Sequence, residues 1–323
     1  MADTASDRPR RLIVDTDTAG DDTQAILLTA LSDRIDLEAV TVVCGNVPFD
    51  YQVENAKYTL EHAGVAEKVP VHEGARQPLL KQFEHASDVH GEGGLGGNLF
   101  PDTDVPSATD HAVEAILDRA RAAPGELSLL CIGPLTNVAM ALHREPDLGD
   151  LLDRVWVMGG NVNCRGNVTP AAEYNFWVDP DAAKVVLDRL EVTLVDWGCS
   201  LRDSFFGPDF FQWAADVESE LADYVLTVTK QARATMADRT GTAGATQPDS
   251  LTAAVAAFPD IVDAADTYHV AVDEREGLTR GYTAVDETGV TGEPARTTVV
   301  ESVDADRFEA IFRSMLTDRD PSP

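Results

Sequence analysis

The chain has 323 residues, 44% of them hydrophobic, with 56 acidic against 25 basic side chains and a formal net charge of −31. That length and apolar content suit a soluble domain with a substantial core, and no apolar run reaches the roughly 20 residues a membrane-spanning helix needs. Binding phosphates takes Lys and Arg, so the charge argues against nucleic acid or an anionic membrane as a partner. Acids are scattered along the whole chain and lysines are scarce. This is the pattern of a surface adapted to high salt, where screening weakens self-repulsion.

The start, MADTASDRPRR, has no apolar core of the signal-peptide kind. Residues 1–10 read as a flexible tail and the protein as cytoplasmic. Leu12–Val14 reads as a strand. It runs into DTDTAGDD, where Asp15, Asp17, Asp21 and Asp22 crowd into eight residues. Asp22–Leu31 then reads as a helix whose acids suit its positive end. Ala39–Val43 is a second strand ending in CGN, and Tyr51–Ala63 a helix closed by Gly64. Val69–His72 is a third strand. The long loop that follows contains VHGEGGLGG; loops of this length inside a domain are usually functional or disordered.

The pattern then alternates. His111–Ala122 is a helix, Leu127–Ile132 a strand, and GPLTNVAMAL opens a helix with Pro134 near its start. Val155–Met158 and Val192–Asp196 read as strands, with a helix over Asp181–Leu190 between them. Asp209–Met236 reads as mostly helical, DRTGTAGATQ as a loop, and Ser250–Phe258 as a helix. Three strands follow at Tyr268–Val272, Thr279–Val285 and Arg296–Glu301, and Asp306–Leu316 closes the chain as a helix.

No repeat or linker divides the chain, so 1–323 is expected to form one α/β domain. Its expected core is a mostly parallel, Rossmann-like sheet flanked by helices. In such folds ligands bind beyond the carboxyl ends of the strands. The polar clusters Asp15–Asp22, Gly45–Asn46, Gly133–Asn137 and Gly159–Asn175 all fall at those ends, which favours a site.

Close carboxylates repel and are costly to desolvate, so the aspartate cluster either lies on a wet acidic turn or holds a cation. Oxygen ligands suit Ca²⁺ or Mg²⁺. Spacing alone leaves both readings open. Individually, Asn46 reads equally as a turn former, Thr136 and Asn137 as a helix start, Asp249 as a helix N-cap, and Glu173 as a surface acid. The four cysteines form no CxxC pair and read as buried thiols.

DTDTAGDD resembles the aspartate-rich signature of the inosine–uridine-preferring nucleoside hydrolases. TVVCGNVPFDYQVENA, VHGEGGLGG, IGPLTNVAMAL, VWVMGG, GNVTPAAEYNFWVDPDAA and GLTRGYTAVD resemble further segments of that family in the same order. The resemblance implies a Ca²⁺-dependent hydrolase that splits ribonucleosides into free base and ribose in nucleoside salvage. It implies that Asp17, Asp22, the main-chain carbonyl of Thr136 and Asp249 ligate calcium. Asp17 would also act as general base on a calcium-held water. Asp21, Asn46, Asn167, Glu173 and Asn175 would hold the ribose. A homodimer or homotetramer is the expected assembly.

Two departures from the family pattern matter. Thr18-Ala19 stand where Pro-Gly is usual, with the aspartate spacing kept. Pro248 stands where many members carry a histidine that serves the leaving base, and proline cannot protonate anything. His90 is the expected substitute, with His85, Tyr224, Arg239 and Gln247 as weaker candidates and Trp177, Trp197 and Trp213 as possible stacking partners for a base. Purines, which accept a proton at N7, are then expected to outrank uridine. Competing readings are a HAD-type Mg²⁺ phosphatase, against which Ala19 stands where that pattern wants threonine, and a nucleoside-binding protein with weak turnover.

Overall fold

The computed structural model describes residues 8–322. β1 (Arg10–Thr16) leads into α1 (Gly20–Leu31), β2 (Ile35–Val42) into α2 (Phe49–Ala63), and β3 (Val71–Glu73) into a long segment carrying one turn of helix, α3 (Ser87–His90). α4 (Ala112–Ala122) returns to β4 (Leu127–Cys131); α5 (Thr136–Arg144) and α6 (Leu148–Leu151) lead to β5 (Leu152–Met158). α7 (Tyr174–Val178) and α8 (Pro180–Arg189) precede β6 (Val192–Val195). α9 (Trp197–Asp203) and the two-residue β7 (Phe205–Phe206) follow, then α10 (Pro208–Asp216), α11 (Glu220–Val228) and α12 (Lys230–Thr240). β8 (Ala245–Thr246), which pairs with β7, precedes α13 (Pro248–Ala257). β9 (Val262–Val272), β10 (Thr283–Asp286), β11 (Thr297–Val303) and α14 (Ala305–Asp318) complete the chain.

Nine strands form one sheet in the order β10-β9-β11-β6-β5-β4-β1-β2-β3. From β11 to β3 every pairing is parallel; β9 joins β11 and β10 antiparallel at one end. The expected parallel α/β sheet is therefore present, with an antiparallel margin. Helices cover both faces, so the central strands are apolar on both sides: Leu12, Ile13 and Val14 are all fully buried. The two faces belong to two large apolar clusters. One gathers Leu12, Val14 and α1 with α13 and α14; the other gathers Ile13 with α4, α5 and α8.

Several boundaries differ from expectation. Residues 1–7 of the expected tail lie outside the described residues, while Arg10 already pairs with Ile35 in β1. The helical stretch over Asp209–Met236 is three helices, broken around Val217–Ser219 and at Thr229. The strand expected over Thr279–Val285 is confined to Thr283–Asp286, because Arg280 turns inward and donates to the carbonyls of Trp177, Gln82 and Val178.

Candidate active site

β1 lies inside the sheet between β4 and β2, and its carboxyl end carries the aspartates. α1 starts four residues later, with Asp21 and Asp22 in its first turn. α13 packs against α1 and carries Asp249 in its own first turn. Two helix N-termini thus contribute carboxylates to one place, where their exposed N–H groups favour negative charge by about 0.3–1 kcal/mol each. Asp21, Asp22 and Asp249 each offer an oxygen within 4.8 Å of the others.

Asp17 stands beside this triplet, fully buried. Its Oδ2 accepts the main-chain N–H of Asn46 at 2.9 Å; its Oδ1 is buried without a hydrogen-bond partner. Asp22 accepts from the Thr16 hydroxyl at 2.6 Å, from Ala19 N at 3.1 Å and from the Asn46 side-chain amide at 3.2 Å. Gly45 permits this packing: a Cβ there would lie 1.9 Å from Asp17 Oδ2. Burial raises all of these carboxyls above the usual range. Asp22 reaches about 7, with Asp21's charge adding to burial. Asp17 is raised further by Asp22, and Asp249 by Asp21, Asp22 and Asp17.

A divalent cation fits this arrangement. The donors are all oxygen, one buried carboxylate oxygen lacks a partner, and mutual repulsion among acids is what a positive charge relieves. The group Asp21, Asp22 and Asp249 has the spacing to chelate such an ion.

A cavity of about 690 Å³ opens in front of these acids. Asp21 and Asp249 reach its wall, as do Asn46, Asn167, Glu173 and Asn175. Glu173 caps α7: its carboxylate accepts from the N–H groups of Gly160, Asn175 and Phe176 at 2.9, 2.8 and 3.2 Å. Burial raises its pKa to about 7, a shift those bonds oppose. Asn175 donates through Nδ2 to the carbonyls of Ile132 and Met158 at 3.1 and 3.3 Å. Asn167 accepts from Tyr174 N at 2.9 Å, which fixes its loop over α7.

Thr136 lies elsewhere. It sits in the first turn of α5, its hydroxyl donates to Asp179 at 2.7 Å, and it does not line the cavity. Ile132, at the end of β4, does line it, and its carbonyl faces Asn175. No side-chain pattern marks this position; its one signal is its place directly after a buried strand and before Gly133-Pro134.

The opposite wall is made by α3 and α12. His90 lines the cavity and packs so closely on Gly20 (φ +23°) that a Cβ there would lie 2.6 Å from its Nδ1. That Nδ1 is buried without a hydrogen-bond partner, and burial lowers the imidazole pKa, with Asp21 pulling the other way. His85 also lines the cavity and meets the Gly45 carbonyl through Nδ1 at 2.7 Å. Arg239 lines it from α12 and pairs with Asp88 at 2.6 Å. Pro248 forms part of the wall. Of the tryptophans, Trp177 and Trp197 line the cavity, while Trp213 packs under Arg313. Tyr224 is buried on Thr59, and neither it nor Gln247 lines the cavity. Leu201, Thr235 and Met236, unmarked in the sequence, complete the apolar side.

Comparison with known proteins matches this arrangement to one family. The family described as inosine-uridine preferring nucleoside hydrolase matches residues 12–310. The Pyrimidine-specific ribonucleoside hydrolase RihB of Escherichia coli (strain K12) is 33% identical over 303 residues, which cover 93% of this chain and 94% of that protein. Among solved structures, the plant nucleoside hydrolase PpNRh1 superposes with a TM-score of 0.89 at 27% identity, over 96% of this chain and 99% of that one. The Purine-Preferring Ribonucleoside Hydrolase from Gardnerella vaginalis gives 0.87 at 28% identity, over 95% and 98%.

Proposed function

The chain belongs to the inosine–uridine preferring nucleoside hydrolase family, and from that premise we propose that it cleaves ribonucleosides with Asp17 as general base at a Ca²⁺ site. As a member it hydrolyses the N-glycosidic bond of ribonucleosides. The observation that carries the finer reading is the convergence of buried Asp17 and Asp22 with Asp21 and Asp249 behind one cavity.

The residues divide the work. Asp17, Asp22 and Asp249 would hold the ion, with Asp21 sharing the chelating spacing of the last two, and the main-chain carbonyl that would join them is that of Ile132, at the end of β4 and on the cavity wall, in place of Thr136. When bound, Ca²⁺ supplies a fixed positive charge that orders water and ribose hydroxyls. Asp17 Oδ1, free of other partners, takes a proton from the attacking water. The water oxygen bonds to C1′ as the C1′–N bond breaks and its electron pair leaves with the base. The sugar is oxocarbenium-like at that point, and the carboxylates around it stabilise the developing positive charge. Asp21, Asn46, Asn167, Glu173 and Asn175 hold the hydroxyls. Substrates lacking those hydroxyls leave buried polar groups unpaired and are rejected.

The departing base needs a proton, and Pro248 has none to give. His90, on the wall opposite, supplies it. The relatives differ in named specificity, pyrimidine in one and purine in another. This chain's own wall, with His90 as donor, favours purines, which accept a proton at N7.

The test is release of ribose from inosine, guanosine and uridine in Ca²⁺, in chelator, and in chelator followed by restored Ca²⁺ or Mg²⁺. Activity lost in chelator and restored by Ca²⁺ is the expected result. Full activity in chelator removes the metal from the reaction. Phosphate release from sugar phosphates would instead revive a phosphatase.

A further inference from the structure

Asn55 lies on α2, wholly buried, and does not line the cavity. Its side-chain amide nonetheless touches both loops on which the proposed reaction depends. Nδ2 donates to the carbonyl of Thr18 at 3.0 Å and to that of Gly93 at 2.8 Å. Thr18 directly follows Asp17, and Gly93 stands three residues past His90. The two hydrogens of one nitrogen thus join the turn that carries the general base to the segment that carries the proton donor.

The other end of the amide shows which end the fold uses. Oδ1 is buried without a hydrogen-bond partner. Both neighbours of Nδ2 are carbonyl oxygens, so a flipped amide would set oxygen against oxygen, and the orientation is fixed. A buried acceptor left unpaired is costly and calls for an explanation. The explanation is the donor end: serine or threonine would offer one hydrogen here and aspartate none, where two carbonyls have to be held.

Few side chains of the held segment can order it. Five of the seven residues from Gly91 to Gly97 are glycine, and glycine loses more freedom on ordering than any other residue. Leu95 enters the apolar cluster shared with α1 and α2, and the Gly94 carbonyl accepts the Gly20 N–H at 2.9 Å. Gly94 itself has φ +88°, and a Cβ there would lie 2.9 Å from Asn55 Nδ2 and 3.1 Å from the Ala19 Cβ. The segment is therefore pressed flat on Thr18–Gly20, with His90 against Gly20 at its near end.

We propose that Asn55 is a positioning residue that sets His90 against Asp17, so that the group taking a proton from water and the group giving one to the departing base face the same sugar. The inference rests on the reading of His90 as proton donor. It places no contact between Asn55 and the substrate.

The test compares the parent with Asn55→Leu, which keeps the size of the side chain and removes both bonds, at saturating Ca²⁺. Asn55→Ser, with one donor on a shorter side chain, replaces it if the leucine variant does not fold. The substrates are inosine and a nitrophenyl riboside, whose leaving group departs without a proton. The variant is expected to lose at least about tenfold in kcat on inosine, with KM and nitrophenyl riboside turnover changed by less than about threefold. Added to His90→Ala, it should deepen the loss on inosine by less than about twofold, because nothing is left to position. Hydrogen exchange at the Gly20 amide should quicken at least about tenfold. Equal losses on both substrates, full additivity with His90→Ala, or unchanged Gly20 exchange would each overturn the proposal. His90→Ala alone separates this result from the catalytic reading. If it leaves inosine turnover intact, the donor assignment fails and the proposal with it; if it impairs inosine turnover while Asn55→Leu does not, the proposal alone fails.

Discussion

Asn46 holds Asp17 by its main chain and Asp22 by its side chain: its N–H donates to Asp17 Oδ2 at 2.9 Å and its Nδ2 to Asp22 Oδ2 at 3.2 Å. One residue in the loop after β2 thereby ties the carboxylate that follows β1 to one in the first turn of α1. Only one oxygen of Asp17 is occupied. The other is buried without a hydrogen-bond partner.

Replacing that carboxylate removes the base and keeps the shape. Asp17→Asn is expected to lower kcat by about 10²–10⁴-fold, the range of general-base catalysis, with additional loss if metal affinity also falls. Steady-state ribose release at saturating Ca²⁺ measures it. A loss below tenfold would assign the base elsewhere.

Asp249 separates the cost of burying charge from the gain of holding an ion. Burial and the charges of Asp21, Asp22 and Asp17 raise its carboxyl well above the usual range. In chelator at neutral pH, Asp249→Asn should therefore raise Tm by relieving repulsion. In Ca²⁺ the parent should gain Tm and the variant little, by linkage to binding. Calorimetric titration with Ca²⁺ should show the affinity loss directly. Equal affinity in the two proteins would remove Asp249 from the shell.

Glu173 gives a pH signature. Burial lifts its carboxyl from 4.5 to about 7 in the folded chain. Between those values the folded state keeps a proton that the unfolded chain has released. This group's contribution is thus complete below about pH 4.5 and is lost as pH rises through 7, a change of roughly 3 kcal/mol. Glu173→Gln should flatten that part of the dependence of unfolding free energy on pH. An unchanged slope would show that Glu173 titrates in the ordinary range.

His90 is tested by leaving group. His90→Ala should reduce kcat/KM for inosine and guanosine by more than tenfold, or about 1.4 kcal/mol. It should matter less for a riboside whose leaving group departs without a proton. In the parent, inosine and guanosine should exceed uridine. A uridine preference would point to a group that activates the pyrimidine, and Arg239 would be the first residue to substitute.

Salt tests the surface reading. With −31 charges, Tm should climb as salt rises into the molar range, because screening weakens self-repulsion. A flat or falling Tm would mean that the acids are already neutralised by local pairing.

The strand-to-loop transitions at Asp15–Asp22 and Gly45–Asn46 were legible because buried apolar runs stop there and polar residues begin. The family signature then ordered the site. What the sequence hid has physical causes. Ile132 reaches the cavity wall beside Asn175 through its main chain, which has no side-chain signature. β9 was shortened because Asp263–Thr267 are exposed on an antiparallel margin and show no apolar alternation. α7 and α9 are too short for a helical period to register. The distal wall came from α12, which has no buried residue and so no apolar stripe to read.

The two walls of the cavity differ in how freely they can change over evolutionary time. Around Asp17 there is no room: at Gly45 even one added carbon would collide with the carboxylate. On α12, which is anchored to α3 by surface contacts such as Arg239–Asp88, substitutions disturb little of the core. Substitution along α12 can therefore reshape that wall while the packing around the Asp17 carboxylate stays fixed. A lineage built this way can drift in diet without passing through an inactive ancestor.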